Sequence, residues 1–143
     1  MVYKYFASSY AIERHDKIIE ISGGLEGIKN IGDLESPLHH IQNDDYYPQI
    51  EDKATHLFFT INKNHSFNDG NKRSSIALTA FFLELNGYDF MVRKFIIEME
   101  DIAVHVADNR IDKDLLFEII QSLIFEDDYS EILKLKIIHA IST

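Results

Sequence analysis

A chain of 143 residues with 45% hydrophobic content is long enough for one domain with a real core and short for two. The absence of cysteine excludes a disulfide framework and a thiolate metal site, and a net charge of −10 excludes general affinity for nucleic-acid phosphates. No run approaches the roughly 18 uninterrupted apolar residues of a membrane span, and the opening residues are too short for a signal peptide, so the expectation is a soluble cytoplasmic protein without membrane contact.

Residues 1–143 read as a single all-α domain of six to seven helices. Ala11, His15, Ile18 and Ile19 recur at helical spacing behind Ser8 or Ser9 as N-cap, and Gly23-Gly24 ends that helix. A glycine-rich connection, 23–32, leads to a short helix around Leu34, Leu38 and Ile41, capped by Asp33 or Ser36, with Pro37 suited to a first turn. Residues 43–48 break the pattern, and the two tyrosines there suggest a loop or small flap. Ile50, Ala54, Leu57, Phe58 and Ile61 form one face of the next helix. The run 76–85 is apolar on nearly every side, which predicts a buried central helix closed by Asn86-Gly87. Residues 88–92 read as briefly extended. Met99, Ile102, Ala103 and Val106 mark one further helix and Leu115, Leu116, Ile119, Ile120 and Leu123 another. A last helix, about 130–141, starts behind Ser130; it either covers the core or pairs with another subunit.

Between the helix ending near Asn62 and the one beginning near Arg73 lies His65-Ser66-Phe67-Asn68-Asp69-Gly70-Asn71-Lys72-Arg73. A connection that opens onto a helix N-terminus favours anions, because the first backbone N–H groups have no partner inside the helix. Gly70 permits a positive-φ turn and close approach of a ligand. Lys72 and Arg73 supply charge that opposes the helix dipole by about 0.3–1 kcal/mol each unless an anion is nearby. His65 has the intrinsic basicity to take a proton from a hydroxyl near neutral pH. Asp69 is the natural Mg²⁺ ligand, since that ion prefers one or two carboxylates together with phosphate oxygens. Phe67 turns inward as the loop's anchor, and Asn71 either caps the helix, bonds a phosphate oxygen, or does both.

The nonapeptide closely resembles the Fic/Doc family motif, H-x-F-x-(D/E)-(G/A)-N-(K/G)-R, with His65, Phe67, Asp69, Gly70, Asn71, Lys72 and Arg73 at every fixed position. Lys72, where AMP-transferring Fic enzymes usually have glycine, is similar to the death-on-curing (Doc) branch. The likeness reaches upstream to His15-Asp16 and Gly23-Gly24-Leu25 and downstream through Asn86-Gly87, covering roughly residues 8–125. It implies a helical fold with the loop between two central helices, Mg-ATP as donor and a protein hydroxyl as acceptor. Carried over, His65 is the base, Asp69 the metal ligand, and Gly70, Asn71, Lys72 and Arg73 the phosphate cradle; His65, Asp69, Lys72 and Arg73 together form the catalytic set. By position, Tyr46, Tyr47 and Pro48 correspond to the target-docking flap. Ile76 stands where Fic AMP-transferases carry a second arginine, which fits phosphoryl transfer better than AMP transfer. Ala77 stands where some Doc toxins have asparagine, which admits a relaxed or lost activity.

The resemblance thus implies the toxin of a toxin–antitoxin system, phosphorylating a protein hydroxyl, with a translation factor as the target. The antitoxin would hold it through a segment that folds on binding in a groove near the first helix and the motif, and an acidic surface suits a basic segment. The alternatives are AMP transfer and a nucleotide- or partner-binding module without turnover. Other patterns carry less. Residues 22–27 match a self-inhibitory pattern around Glu26 but lie in a glycine turn. His15-Asp16 lacks the upstream histidine that a metal phosphohydrolase needs. His39, His40 and His56 complete no zinc set, and residues 70–74 lack the first glycine and preceding strand of a P-loop.

Overall fold

A computed structural model describes residues 2–25, 27–64, 67 and 70–142. Among these residues the fold is all-α: α1 (Ser8–Ser22), α2 (Ile31–His40), α3 (Ile50–Asn64), α4 (Asn71–Leu85), a 3-10 turn (Asp89–Met91), α5 (Val92–Ala107), α6 (Lys113–Phe125) and α7 (Glu131–Ile141). The 3-10 turn replaces the extended stretch expected at 88–92. Met91 is buried there while Phe90 projects outward, an arrangement that a tight turn also produces.

Helix boundaries follow the backbone hydrogen bonds more closely than the nearest capping residue in sequence. α1 begins at Ser8 itself, because the carbonyl of Ala7 accepts from Tyr10 and Ala11 N–H at 3.1 and 3.2 Å, and no side chain caps it. Its C-terminal stop is Gly23, with φ +84° and its N–H on the Ile19 carbonyl. α2 is capped by Asn30, whose Oδ1 accepts from Gly32 N–H at 2.9 Å and Asp33 N–H at 3.4 Å. Neither Asp33 nor Ser36 caps it. Pro37 therefore falls inside the helix, buried beside Leu34 and Leu38, with its missing N–H accepted as a local loss. Asp112 and Ser130 cap α6 and α7 through Leu115 and Leu133 N–H.

The helix buried on all sides is α3, which packs on α2, α4, α5 and α6. Residues 53–58 are buried in unbroken succession, as are Ile61 and Asn62. Among the buried polar side chains of α3, Lys53, His56 and Asn62 each make a hydrogen bond, while Thr55 Oγ1 and Asn62 Oδ1 make none. Lys53 Nζ donates to the Ile41 carbonyl at 2.6 Å and to Asp44 at 2.7 Å, and lies 5.0 Å from the Tyr3 ring centre. His56 accepts from Lys113, and Asn62 Nδ2 donates to the Ala103 carbonyl at 3.0 Å. α4, expected to be the helix enclosed on every side, buries Leu78, Ala80, Phe82 and Leu83 but leaves Lys72, Arg73 and Glu84 exposed and Ile76 and Ala77 half-buried. That half-buried face looks toward α1 and α5, with both of which α4 packs.

Candidate functional site

The described part of the motif loop is fastened from two directions. Phe67 is 1% exposed, and its ring lies flat on that of His15 from α1, with centres 3.9 Å apart and planes 7° from parallel. Burying a ring of this size is worth roughly 1.5–3 kcal/mol. From the other side Asn71 clasps the Phe67 backbone: its Oδ1 accepts from Phe67 N–H at 3.1 Å, and its Nδ2 donates to the Phe67 carbonyl at 3.1 Å. Both ends of the Asn71 side chain are thereby engaged with the loop's own backbone, so it holds the loop's shape.

Gly70 joins loop to helix with φ +71° and ψ +25°, a left-handed conformation that costs most side-chain-bearing residues about 1–2 kcal/mol. A Cβ here would sit 2.8 Å from Ile19 Cδ1, so the end of that side chain would have to shift to admit one. The Gly70 carbonyl starts α4 by accepting from Ser74 N–H at 2.9 Å. Among the described residues no side chain caps α4, and its first turn, where Lys72 and Arg73 are exposed, holds no acidic residue. Helix N–H groups and two cations consequently converge at one end of α4, which is the arrangement of an anion site.

His15 and Asp16 organise this end of the molecule. His15 is fully buried, and its Nδ1–H donates to the Asp16 carboxylate at 2.9 Å. The same carboxylate oxygen accepts from Gly27 N–H at 3.0 Å. The Gly27 N–H, opposed by burial and assisted by His15, holds the Asp16 carboxyl below the usual carboxylate range. Asp16 thus ties the connection after α1 in place, and the next residue, Ile28, forms an antiparallel bridge with Phe67. Among the described residues Ile28 is the backbone that runs alongside the motif. Sequence reading did not single it out; the adjacent His15-Asp16 pair was visible, but its partners were not.

Tyr46, Tyr47 and Pro48 are not brought to the loop. The Tyr47 ring packs 4.4 Å from that of His56, midway along α3, and 5.6 Å from Lys113 Nζ. Asn64 lies eight positions further along α3 than His56, about 12 Å of helix. The two tyrosines instead line a cavity of about 640 Å³ with His39, His40, Gln42 and Asn43. It is larger than the groove beside the motif, but it lacks the motif's helix N-terminus and paired cations. His56 Nδ1 accepts from Lys113 at 2.7 Å, which turns its Nε2–H toward His40 Nδ1 at 3.2 Å. Burial, then Lys113 and His40, push its pKa down to about 4, so it is neutral at pH 7. Among the described residues no three His, Asp or Glu side chains gather as a metal site.

His65 and Asp69, the expected base and metal ligand, lie outside the described residues, as do Ser66, Asn68 and Glu26. Of the remaining motif residues, Arg73 reaches a groove of about 420 Å³ between α1, α4 and α5, with Ile18, Ile21, Ile76, Ala77, Ile96, Ile97 and Glu100. The two positions that depart from related patterns, Ile76 and Ala77, both line this apolar groove.

A model of the Fic/DOC family matches residues 5–83. Toxin Doc of Mycolicibacterium smegmatis is 31% identical over 96 residues, which cover 64% of this chain and 74% of that protein. Protein kinase doc of Escherichia phage P1 is 30% identical over 112 residues, covering 76% and 86%.

Proposed function

This chain belongs to the Fic/Doc family, in its Doc branch, and on that premise we propose that it is the toxin of a toxin–antitoxin system, acting as a Mg-ATP-dependent kinase of a protein hydroxyl. The observation that carries the reading is the start of α4. There a left-handed Gly70, the N-terminus of α4 and exposed Lys72 and Arg73 form a cradle suited to nucleotide phosphates, with no acidic side chain in the helix's first turn to oppose them. A Cβ at position 70 would press on the Ile19 side chain of α1.

In this mechanism His65 takes the proton from the acceptor hydroxyl. The hydroxyl oxygen then attacks the γ-phosphorus, and the bond to the bridging oxygen breaks to release ADP. Lys72, Arg73 and the backbone N–H groups at the start of α4 stabilise the charge that develops on the phosphate oxygens. Asn71 acts through Phe67, holding the loop in the shape that presents those N–H groups. Asp69 would hold Mg²⁺, which supplies further neutralisation of the phosphates. The acceptor segment docks along the backbone edge at Ile28, because that edge faces Phe67; Tyr47 packs instead against His56, midway along α3. A translation factor is the target class that the Doc branch suggests. The antitoxin contributes a segment that folds into the α1–α4–α5 groove, its apolar side chains meeting Ile21, Ile96 and Ile97 and its polar flanks meeting Arg73 and Glu100.

Phosphoryl transfer is favoured over AMP transfer by Ile76, which offers an apolar side chain to the groove where a second arginine would clamp the γ-phosphate. The test is incubation of the protein and of His65→Ala with cell lysate and Mg-ATP labelled at either the α- or the γ-phosphate. A protein band labelled only from the γ position, and only when His65 is present, is the expected result. Label from the α position would replace the kinase reading with AMP transfer. Calorimetric nucleotide binding with no labelled protein would replace both with a binding module.

A further inference from the structure

We propose that Asp16 is a positioning residue for the acceptor: by holding Gly27 it sets the separation between the backbone edge on which the acceptor segment docks and the loop at which transfer occurs, a role that rests on the kinase reading above. The contacts that point to it form a closed circuit. α1 presents His15 and Asp16 about 100° apart around its axis, so the histidine enters the core, fully buried, while the aspartate side chain is 33% exposed. One Asp16 oxygen accepts from His15 Nδ1–H at 2.9 Å and from Gly27 N–H at 3.0 Å. Gly27 turns with φ +93°, which few side-chain-bearing residues adopt, and the next residue, Ile28, is bridged to Phe67. The Phe67 ring lies on His15, with 3.9 Å between centres, and the circuit returns to α1.

Each link fixes a different freedom. The stack sets the plane of the Phe67 ring, the Nδ1–H bond sets the plane of the imidazole, and the Gly27 bond sets where the backbone of residues 27 and 28 passes the motif. Among the described residues, those between Gly23 and Asn30 make no other hydrogen bond to a helix. The edge at Ile28 therefore owes its placement to Asp16 on one side and to Phe67 on the other. Such placement matters to transfer, since a displacement of about 1 Å at the reacting atoms can cost about 100-fold in rate.

Of these links, the fold can do without the one through Asp16. His15 and Phe67 are 0% and 1% exposed, so shortening either opens a cavity in the core. Asp16 lies in the middle of α1, where alanine is a good helix former, and water reaching its place can take over Gly27 N–H. The nucleotide cradle has supports of its own, the Asn71 clasp on Phe67 and the His15 stack, neither of which uses Asp16. Loss of Asp16 accordingly separates the two substrates: the acceptor loses its dock, and the nucleotide keeps its cradle.

Three measurements on the unaltered chain, Asp16→Ala and Asp16→Asn test this role: amide hydrogen exchange at Gly27, ATP affinity by calorimetry, and γ-label transfer from Mg-ATP to protein at limiting amounts of cell lysate. With helical circular dichroism unchanged, Asp16→Ala should exchange Gly27 N–H about tenfold faster. It should also lower transfer by about tenfold or more while keeping ATP affinity within about two-fold. Asp16→Asn retains an oxygen for Gly27 N–H and should recover most of the transfer. Unchanged Gly27 exchange, unchanged transfer, a fall in ATP affinity equal to the fall in transfer, or equal defects in the two variants would each overturn the role of Asp16 and leave the kinase reading standing. No label transferred by the unaltered chain would overturn the kinase reading, and this role with it.

Discussion

In the N-terminal half of α3 the ammonium of Lys53 is fully buried between the Tyr3 and Tyr5 rings, and its hydrogen bonds go to Ile41 and Asp44. Past the other end of the same helix, Lys72 and Arg73 stand exposed on the first turn of α4. In the first region the fold supplies the counter-groups for its cations and histidines, and Lys113, His56 and His40 continue the same pattern of internal pairing. In the second, His15, Phe67 and Asn71 hold the described part of the loop, and Lys72 and Arg73 are exposed at the start of α4. The difference separates a cation that the fold buries from cations that it leaves at the surface. Residue type alone would not have made that distinction, since a lysine lies at each place.

The largest effect is expected where the two regions share a support. Phe67→Ala removes the ring between α1 and the loop and should lower unfolding free energy by about 3–5 kcal/mol, read from urea denaturation, with nucleotide binding lost as well. A loss below about 1 kcal/mol would mean that Phe67 does not anchor the loop. Next is a direct exchange between the regions. Lys53→Met strands the buried Ile41 carbonyl and should cost about 1–3 kcal/mol with nucleotide affinity unchanged. Lys72→Met should alter stability by no more than about 0.5 kcal/mol while weakening nucleotide binding in calorimetry. Equal behaviour of the two variants in both measurements would erase the contrast.

A smaller effect is expected at Gly70. Gly70→Ala should destabilise the protein by about 1–2 kcal/mol from its positive φ, with the approach to Ile19 adding to it. Adding Ile19→Val should relieve the steric part and leave the backbone part; full recovery would show that φ is not the constraint. The mildest is a matter of pH. His56 titrates near 6.5 in an unfolded chain and at about 4 when folded. Between those values the unfolded state binds more protons, so stability falls as pH drops through that window and is fully present above it. His56→Gln should reduce the slope of stability against pH by up to one proton across the window, measured by urea titrations at a series of pH values. An unchanged slope would mean that His56 is not held neutral.

Much of this molecule could be read in advance because its signals are local. Helical spacing located α1, α3, α5, α6 and α7, and the motif was legible because its residue types occur at fixed separations on one short stretch. Capping was less legible. Asn30 took the role expected of Asp33 or Ser36, since the winning cap is decided by which backbone N–H groups are left over, and Pro37 then fell within the helix. The apolar run of α4 is a sharper case. Apolar residues on every side of a helix fit enclosure in a core, yet Ile76 and Ala77 line an open groove with α1 and α5. Periodicity records that a surface is apolar and is silent on what covers it.

By itself the sequence determined the all-α class, the order of most of the helices and the residues of the family's motif, because each depends on interactions among near neighbours in the chain. Only the tertiary structure decided that Ile28 and not Tyr46–Tyr47–Pro48 runs beside Phe67, that His15 supports that ring, and that α3 is the enclosed helix. These depend on contacts between residues 39 and 52 positions apart, Ile28 with Phe67 and His15 with Phe67. No local spacing encodes such contacts, because they are set by how the helices pack against one another.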